Sequence, residues 1–155
     1  MFRNRDILLG IAMLIAAMEE ARARTIQVEA IPTKAPGKKT EIKILDNVTL
    51  LRGASRYVYS SNKKGTLHEA LIIADSPNFR VVLSVDKTLM FDASWSEINA
   101  VTQELTDITA FRRLTGDYVF RISNVSWLKS SYLIIVATDR ITINKAVAKY
   151  EEEAS

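Results

Sequence analysis

From Glu41 to Lys149 the chain is a succession of short segments in which apolar and polar residues alternate, each closed by residues that favour turns. A two-residue period places alternate side chains on opposite faces of a strand, so each segment has one face to bury. Glu41–Leu45 alternates, with Ile42 and Ile44 expected inward. Val48–Leu51 follows a turn at Asp46-Asn47, and Arg56–Ser60 alternates around Tyr57 and Tyr59. Asn62–Gly65 reads as a turn. Thr66–Ala74 and Phe79–Val85 flank a second turn at Asp75–Asn78. Asp86-Lys87 turns into Thr88–Phe91, and Tyr118–Ile122, Tyr132–Thr138 and Arg140–Lys149 complete the series. Many short strands with turn residues between them mean an all-β sandwich or barrel.

One interruption has a different period. Between Trp95 and Leu114, Ile98, Val101, Leu105, Ile108 and Phe111 recur at three and four residues, the spacing of a helix face. Ser94 supplies an N-cap and Glu97 the third residue of a capping box. Valine, threonine and isoleucine weaken the second half. The expectation is a helix of two to three turns, then a looser segment, capping one end of the sandwich.

The N-terminus departs from both patterns. Ile7–Met18 is an unbroken apolar run between Arg3, Arg5 and Asp6 on one side and Glu19, Glu20, Arg22 and Arg24 on the other. Twelve residues fall short of the length a lone spanning helix needs. One reading is a retained hydrophobic helix over Asn4–Arg24. Its Gly10, Ala12, Ala16, Ala17, Ala21 and Ala23 permit close helix packing, and Ile7, Leu8, Ile11, Met13, Leu14, Ile15 and Met18 are its contact residues for copies of the chain or for lipid. A second reading is a signal peptide ending at Ala21-Arg22-Ala23, with Glu19 and Glu20 placed unfavourably for it, and a third is an ordinary core helix. Thr25–Ile31 is a short strand or an extended lead-out, and Pro32–Lys39, with two prolines, a glycine and three lysines, reads as a linker. The expected organisation is a hydrophobic helix over 1–24, a linker over 25–39 and a β-sandwich over 40–155.

The 155 residues suit one domain with an appendage. The net charge of +3 is unevenly spread: residues 1–65 carry 12 Lys/Arg against 6 Asp/Glu, and residues 66–155 carry 9 against 12. A basic end beside an acidic end suits a membrane surface or packing between copies. The chain has no cysteine, which excludes disulfides and thiolate metal sites.

No catalytic constellation, cofactor motif or nucleic-acid motif stands out, and the chain is expected not to be an enzyme. The single histidine, His68, is placed by strand alternation on the opposite face from Glu69. Asp75, Asp86, Asp92 and Asp139 fall at expected turns, where their local hydrogen bonding favours them; a calcium site would need their loops to converge. Tyr57, Tyr59, Trp95, Trp127 and Tyr132 are the residues for a partner or carbohydrate groove, with Tyr57 and Tyr59 on one face. Burial in the core is the competing fate for each. Glu151–Glu153 reads as a solvated tail.

The stretch Lys64–Asp86, with its hairpin across Asp75–Asn78, resembles a hairpin of the small β-sandwich proteins of virus particles. Tyr118–Trp127 and Ile141–Tyr150 would supply further strands of such a module. Over about residues 55–150 the order of strands and turns is similar to tail-tube, adaptor and nozzle proteins, including those of archaeal spindle-shaped viruses. The resemblance carries no diagnostic motif and assigns no site residue. It implies a jelly-roll-like antiparallel β-sandwich and a non-enzymatic virion protein forming a homo-oligomeric ring with other virion proteins, seated through its N-terminal helix. The alternative is a membrane-anchored or secreted surface sandwich that binds a ligand such as glycan.

Overall fold

The computed structural model describes residues 37–154. The hydrophobic run Ile7–Met18 and the first domain boundary lie outside the described residues. Within them the chain is mainly β: β1 Lys38–Leu50, β2 Ser55–Ser61, β3 Gly65–Ala74, β4 Phe79–Val85, β5 Thr88–Ser94, β6 Ile108–Arg112, β7 Tyr118–Trp127, β8 Ser131–Ala137 and β9 Ile141–Glu153. Helix α1, Trp95–Val101, leads into a 3₁₀ turn at Thr102–Glu104. The strands form two antiparallel sheets, one in the order β1-β9-β3-β7-β6 and one in the order β2-β8-β4-β5. Leu67, Ile72, Phe120, Ile122 and Ile143 of the first sheet and Phe79, Leu83, Leu133 and Ile135 of the second join one buried cluster. No helix among the described residues is long and apolar enough to cross a membrane.

The capping box at α1 forms as its sequence dictates. Ser94 Oγ accepts from Glu97 N–H, and Glu97 Oε1 accepts from Ser94 N–H, both at 3.1 Å. The helix has the expected length, seven residues or about two turns, before the 3₁₀ turn. Beyond the 3₁₀ turn the segment that reads as looser straightens into strand β6. Two helix-side residues hold that strand: Thr102 Oγ1 accepts from Ala110 N–H at 2.7 Å, and Asn99 Nδ2 donates to Ala110 C=O at 2.8 Å. Pairing with β7 and these bonds outweigh the local three-and-four spacing of Ile108 and Phe111.

Other differences sit at the chain's margins. Asp46-Asn47 is not a turn: β1 runs through it, with Asn47 in the left-handed region at φ 51°. Ile42 and Ile44 point outward, 57% and 60% exposed, because they pair with Lys149 and Val147 on the outer face of β9; the inward residues of β1 are Leu45, Val48 and Leu50. Glu151–Glu153 is no tail but the end of β9, opposite Thr40, Lys39 and Lys38, and the two lysines complement its charge.

The Asp86-Lys87 turn lacks glycine yet closes the β4–β5 hairpin, with Val85 opposite Thr88 and both turn residues at positive φ (50° and 65°). Such a two-residue turn matches the twist of its strands. The Asp86 carboxylate secures it against the neighbouring turn. Its Oδ1 accepts from the amides of Leu128, Lys129 and Ser130 at 3.1, 2.6 and 3.1 Å. Partial burial pushes the carboxyl's pKa up, but those backbone bonds and the Lys129 charge outweigh it and hold it below 3.8.

At the same end, an aromatic cluster fills the core. Trp127 stacks on Tyr59 at 5.6 Å between centroids, and Tyr150 lies 5.4 Å from Tyr59. Ser131 Oγ donates to Ser84 C=O at 3.0 Å, so the Tyr59 hydroxyl donates to Ser131 Oγ at 2.7 Å, joining β2, β8 and β4. Burial pushes the Tyr59 phenol's pKa upward. Trp127 Nε1 donates to Lys63 C=O at 2.5 Å. Gly65 is needed here for space: a Cβ would collide with the Glu151 carbonyl and sit 2.7 Å from Trp127 Cζ2.

Gly65→Ala is therefore expected to destabilise the fold by about 1–3 kcal/mol through overpacking, read as a lower urea midpoint with unchanged slope. Asp86→Asn should cost about 1–2 kcal/mol at pH 7 from its weakened hydrogen bonds. Because the folded carboxyl titrates below its unfolded value, its contribution is present above about pH 4 and fades as pH falls through the folded pKa. The gap between wild type and Asp86→Asn in denaturant titrations should shrink over that acidic window.

Candidate docking surface

A sheet with one face on the core normally shows polar side chains on the other. The four-stranded sheet does not. Its central strands, FRVVLSV in β4 and SYLIIVA in β8, carry apolar residues on both faces. Phe79, Val81, Leu83, Leu133, Ile135 and Ala137 point into the core, and Val82, Tyr132, Ile134 and Val136 lie on the outer face, half-buried by their neighbours. Val82 pairs with Ile134, and Tyr57 sits opposite Ile134 on the other side. Leu89, opposite Ser84, ends the next row and is exposed.

Irregular pairing decides which aromatics reach this surface. The register between β2 and β8 shifts between Tyr57 and Tyr59, so the two tyrosines do not share a face. Tyr59 is buried at 2% exposure, while Tyr57 is 56% exposed. Tyr57 meets Tyr132 edge to face, 5.9 Å between centroids. Trp127 is core. Trp95 is buried too, its Nε1 donating to Val119 C=O at 2.9 Å and its ring edge-on to Tyr118 at 4.9 Å. Of the five aromatics singled out in the sequence, the fold brings only Tyr57 and Tyr132 together outside the core. The period-two rule hid the bulge that separates them from Tyr59.

One border of the face is charged. Arg80 Nε bonds Asp92 Oδ1 at 2.8 Å, its Nη2 donates to Asp92 C=O at 2.9 Å, and its Nη1 lies 3.6 Å from Glu97 Oε1. Asp92 lies within β5 and not at a turn. Asp75 accepts from Thr142 N–H, and Asp139 from Arg140 N–H. The four aspartates thus serve separate local bonds, and no set of three acidic or histidine residues among the described ones could hold a metal ion.

The other sheet carries His68. The β3–β9 register shifts between Leu67 and Glu69, so Leu67 and Ala70 face the core and His68 and Glu69 both face outward. This corrects the expectation of opposite faces. His68 Nε2 lies 3.2 Å from Glu151 Oε1, and Glu69 Oε1 is held by Arg121 Nε at 2.7 Å. Both pairs are substantially exposed, and the two acids are committed to different partners.

No family model matches this chain, and no curated protein does. Among solved structures it is similar to a chain in the complex of Aeromonas sobria serine protease with its chaperone, at 10% identity and TM-score 0.36, covering 84% of this chain and 29% of that one. The serine protease of Aeromonas sobria by itself gives 9% identity and TM-score 0.36, over 82% and 29%. Dimeric latent PorU from Porphyromonas gingivalis gives 10% and 0.32, over 78% and 14%. The chain spans less than a third of the length of each. Likenesses of this size carry no argument about activity.

His68→Ala is expected to change the unfolding free energy by less than about 1 kcal/mol, the range of a surface ion pair. A larger loss in urea titrations would give the His68–Glu151 pair a structural weight its exposure does not suggest.

Proposed function

We propose that this chain is a structural assembly protein whose sandwich is a jelly-roll-like module. It would form a homo-oligomeric ring in a virion tail, adaptor or nozzle, together with other virion proteins. The observation that carries the reading is the apolar outer face of the four-stranded sheet, Val82, Ile134 and Val136 rimmed by Tyr57, Tyr132 and Leu89. A face of this composition is stabilised by being covered, and copies of the chain are the proposed cover. The strand orders β1-β9-β3-β7 and β2-β8-β4-β5 support the jelly-roll description, in which the chain folds into two four-stranded sheets by Greek-key connections. Here β6 adds a fifth strand to one sheet. The hydrophobic segment Ile7–Met18 supports a second contact, with neighbouring copies or with lipid.

A ligand-binding sandwich, membrane-anchored or extracellular, is the second reading. It is favoured by one observation, the exposed Tyr57 ring beside Tyr132, because aromatic rings on a flat sheet face can stack on sugars.

Native mass spectrometry of the full chain tests the first reading. A ring is expected, and either Ile134→Lys or the pair Ile11→Asp and Ile15→Asp should break it into smaller species, since an unpaired charge buried in an apolar contact costs about 2 kcal/mol or more. A wild-type monomer, or a ring indifferent to both sets of changes, would overturn it. A monomer that loses binding on a glycan array with Tyr57→Ala would put the second reading first.

A further inference from the structure

The two edges of the five-stranded sheet are treated differently. At β6 the helix-side residues Thr102 and Asn99 bond the outward N–H and C=O of Ala110. At β1, thirteen residues long, no described strand lies beyond. Long open edges invite another strand.

We propose that β1 is a docking edge for β1 of a second copy, joining two five-stranded sheets antiparallel about a two-fold axis at Ile42.

The hydrogen-bond phase fits this axis. Ala154 N–H donates to Gly37 C=O on the β9 side, which fixes the odd-numbered residues of β1 as those that address β9. In an antiparallel ladder the alternate residues address the other side. Lys38, Thr40, Ile42, Ile44 and Asp46 therefore turn their backbone groups to the open edge. Asn47, at φ 51°, ends the regular stretch. The regular stretch of the strand is thus Lys38–Asp46, and its midpoint is Ile42.

The side chains fit the same register. With Ile42 opposite Ile42 of the second copy, Lys38 faces Asp46, Thr40 faces Ile44, and Glu41 faces Lys43. Opposite charges meet at every charged cross-strand position except Lys39, which faces Leu45. Within one copy Lys38 already sits opposite Glu153, and Asp46 opposite Lys145. Across the joined sheets that row reads Glu153, Lys38, then Asp46 and Lys145 of the second copy, alternating in sign. Glu41 is held between Lys39, at 2.9 Å, and Lys43, at 3.8 Å, so it lies where the second copy's Lys43 would arrive. The exposed isoleucines 42 and 44 would be covered. Registers centred on Thr40 or Ile44 keep the hydrogen-bond phase but lose the Lys38–Asp46 match.

This inference does not rest on the virion reading or on the N-terminal segment. A two-fold contact of this kind closes on itself and yields a dimer.

The test uses the full chain carrying Ile11→Asp and Ile15→Asp, so that contacts through the apolar N-terminal run are removed. Sedimentation equilibrium should show a dimer, and hydrogen exchange should show protected amides at Ile42 and Ile44. Ile42→Pro removes an amide its own sheet does not use and should weaken dimerisation by about a hundredfold. Asp46→Lys should weaken it by about tenfold, and adding Lys38→Asp should restore it. A monomer with those amides protected would place residues before Gly37 on the edge and overturn the proposal. A monomer with them unprotected would do the same, as would a dimer indifferent to Ile42→Pro or a charge swap that fails to rescue.

Discussion

The fold depends on one strand reaching its partners across the whole described chain. β9 lies between β1 and β3, so the first and last strands pair over almost their full length, from Lys38 with Glu153 to Leu50 with Ile141. Contacts this distant in sequence are costly to close and are repaid only when the sheet is complete. Their burial is thorough: Ile141, Ile143, Ala146, Ala148 and Tyr150 all point into the core. Tyr150 carries the ladder into the aromatic cluster with Tyr59 and Trp127, where the second sheet is tied in through Ser131 and Ser84.

Irregularities in the ladders decide what the surfaces present. A shift of one residue moves every later side chain to the other face. Between Tyr57 and Tyr59 it sends one ring out and one in. Between Leu67 and Glu69 it places a histidine and a glutamate side by side. Between Leu83 and Ser84 it brings Leu89 onto the apolar face. What these surfaces expose is the product of small departures from regular pairing.

Edges and faces differ in how far they are covered among the described residues. The helix and its hydrogen bonds cover Ala110 on β6, and the Asp86 carboxylate ties two turns together. In contrast, the outer face of β4 and β8 is apolar and the edge of β1 is open among the described residues. Both proposals draw on that contrast, one on a face and one on an edge, and they concern different sheets.

Much of the architecture was legible in the sequence. Apolar runs bounded by turn residues marked Thr66–Ala74 and Phe79–Val85 as strands, and Ser94 with Glu97 marked the start of the helix, because these signals are local: a turn and a capping box involve residues close together in the chain. The strand at Ile108–Arg112 was not legible. Its residues keep a helical spacing, and only β7 and the side chains of Asn99 and Thr102 hold it extended. The burial of Tyr59 beside the exposure of Tyr57 was hidden too, since a bulge is settled by the partner strand. Ile42 and Ile44 read as core and proved to be surface, because alternation shows that a strand has two faces but not which one meets the other sheet. That choice belongs to tertiary structure, where the register with β9 sets Ile42 opposite Lys149 and Ile44 opposite Val147, on the outer face of the sheet.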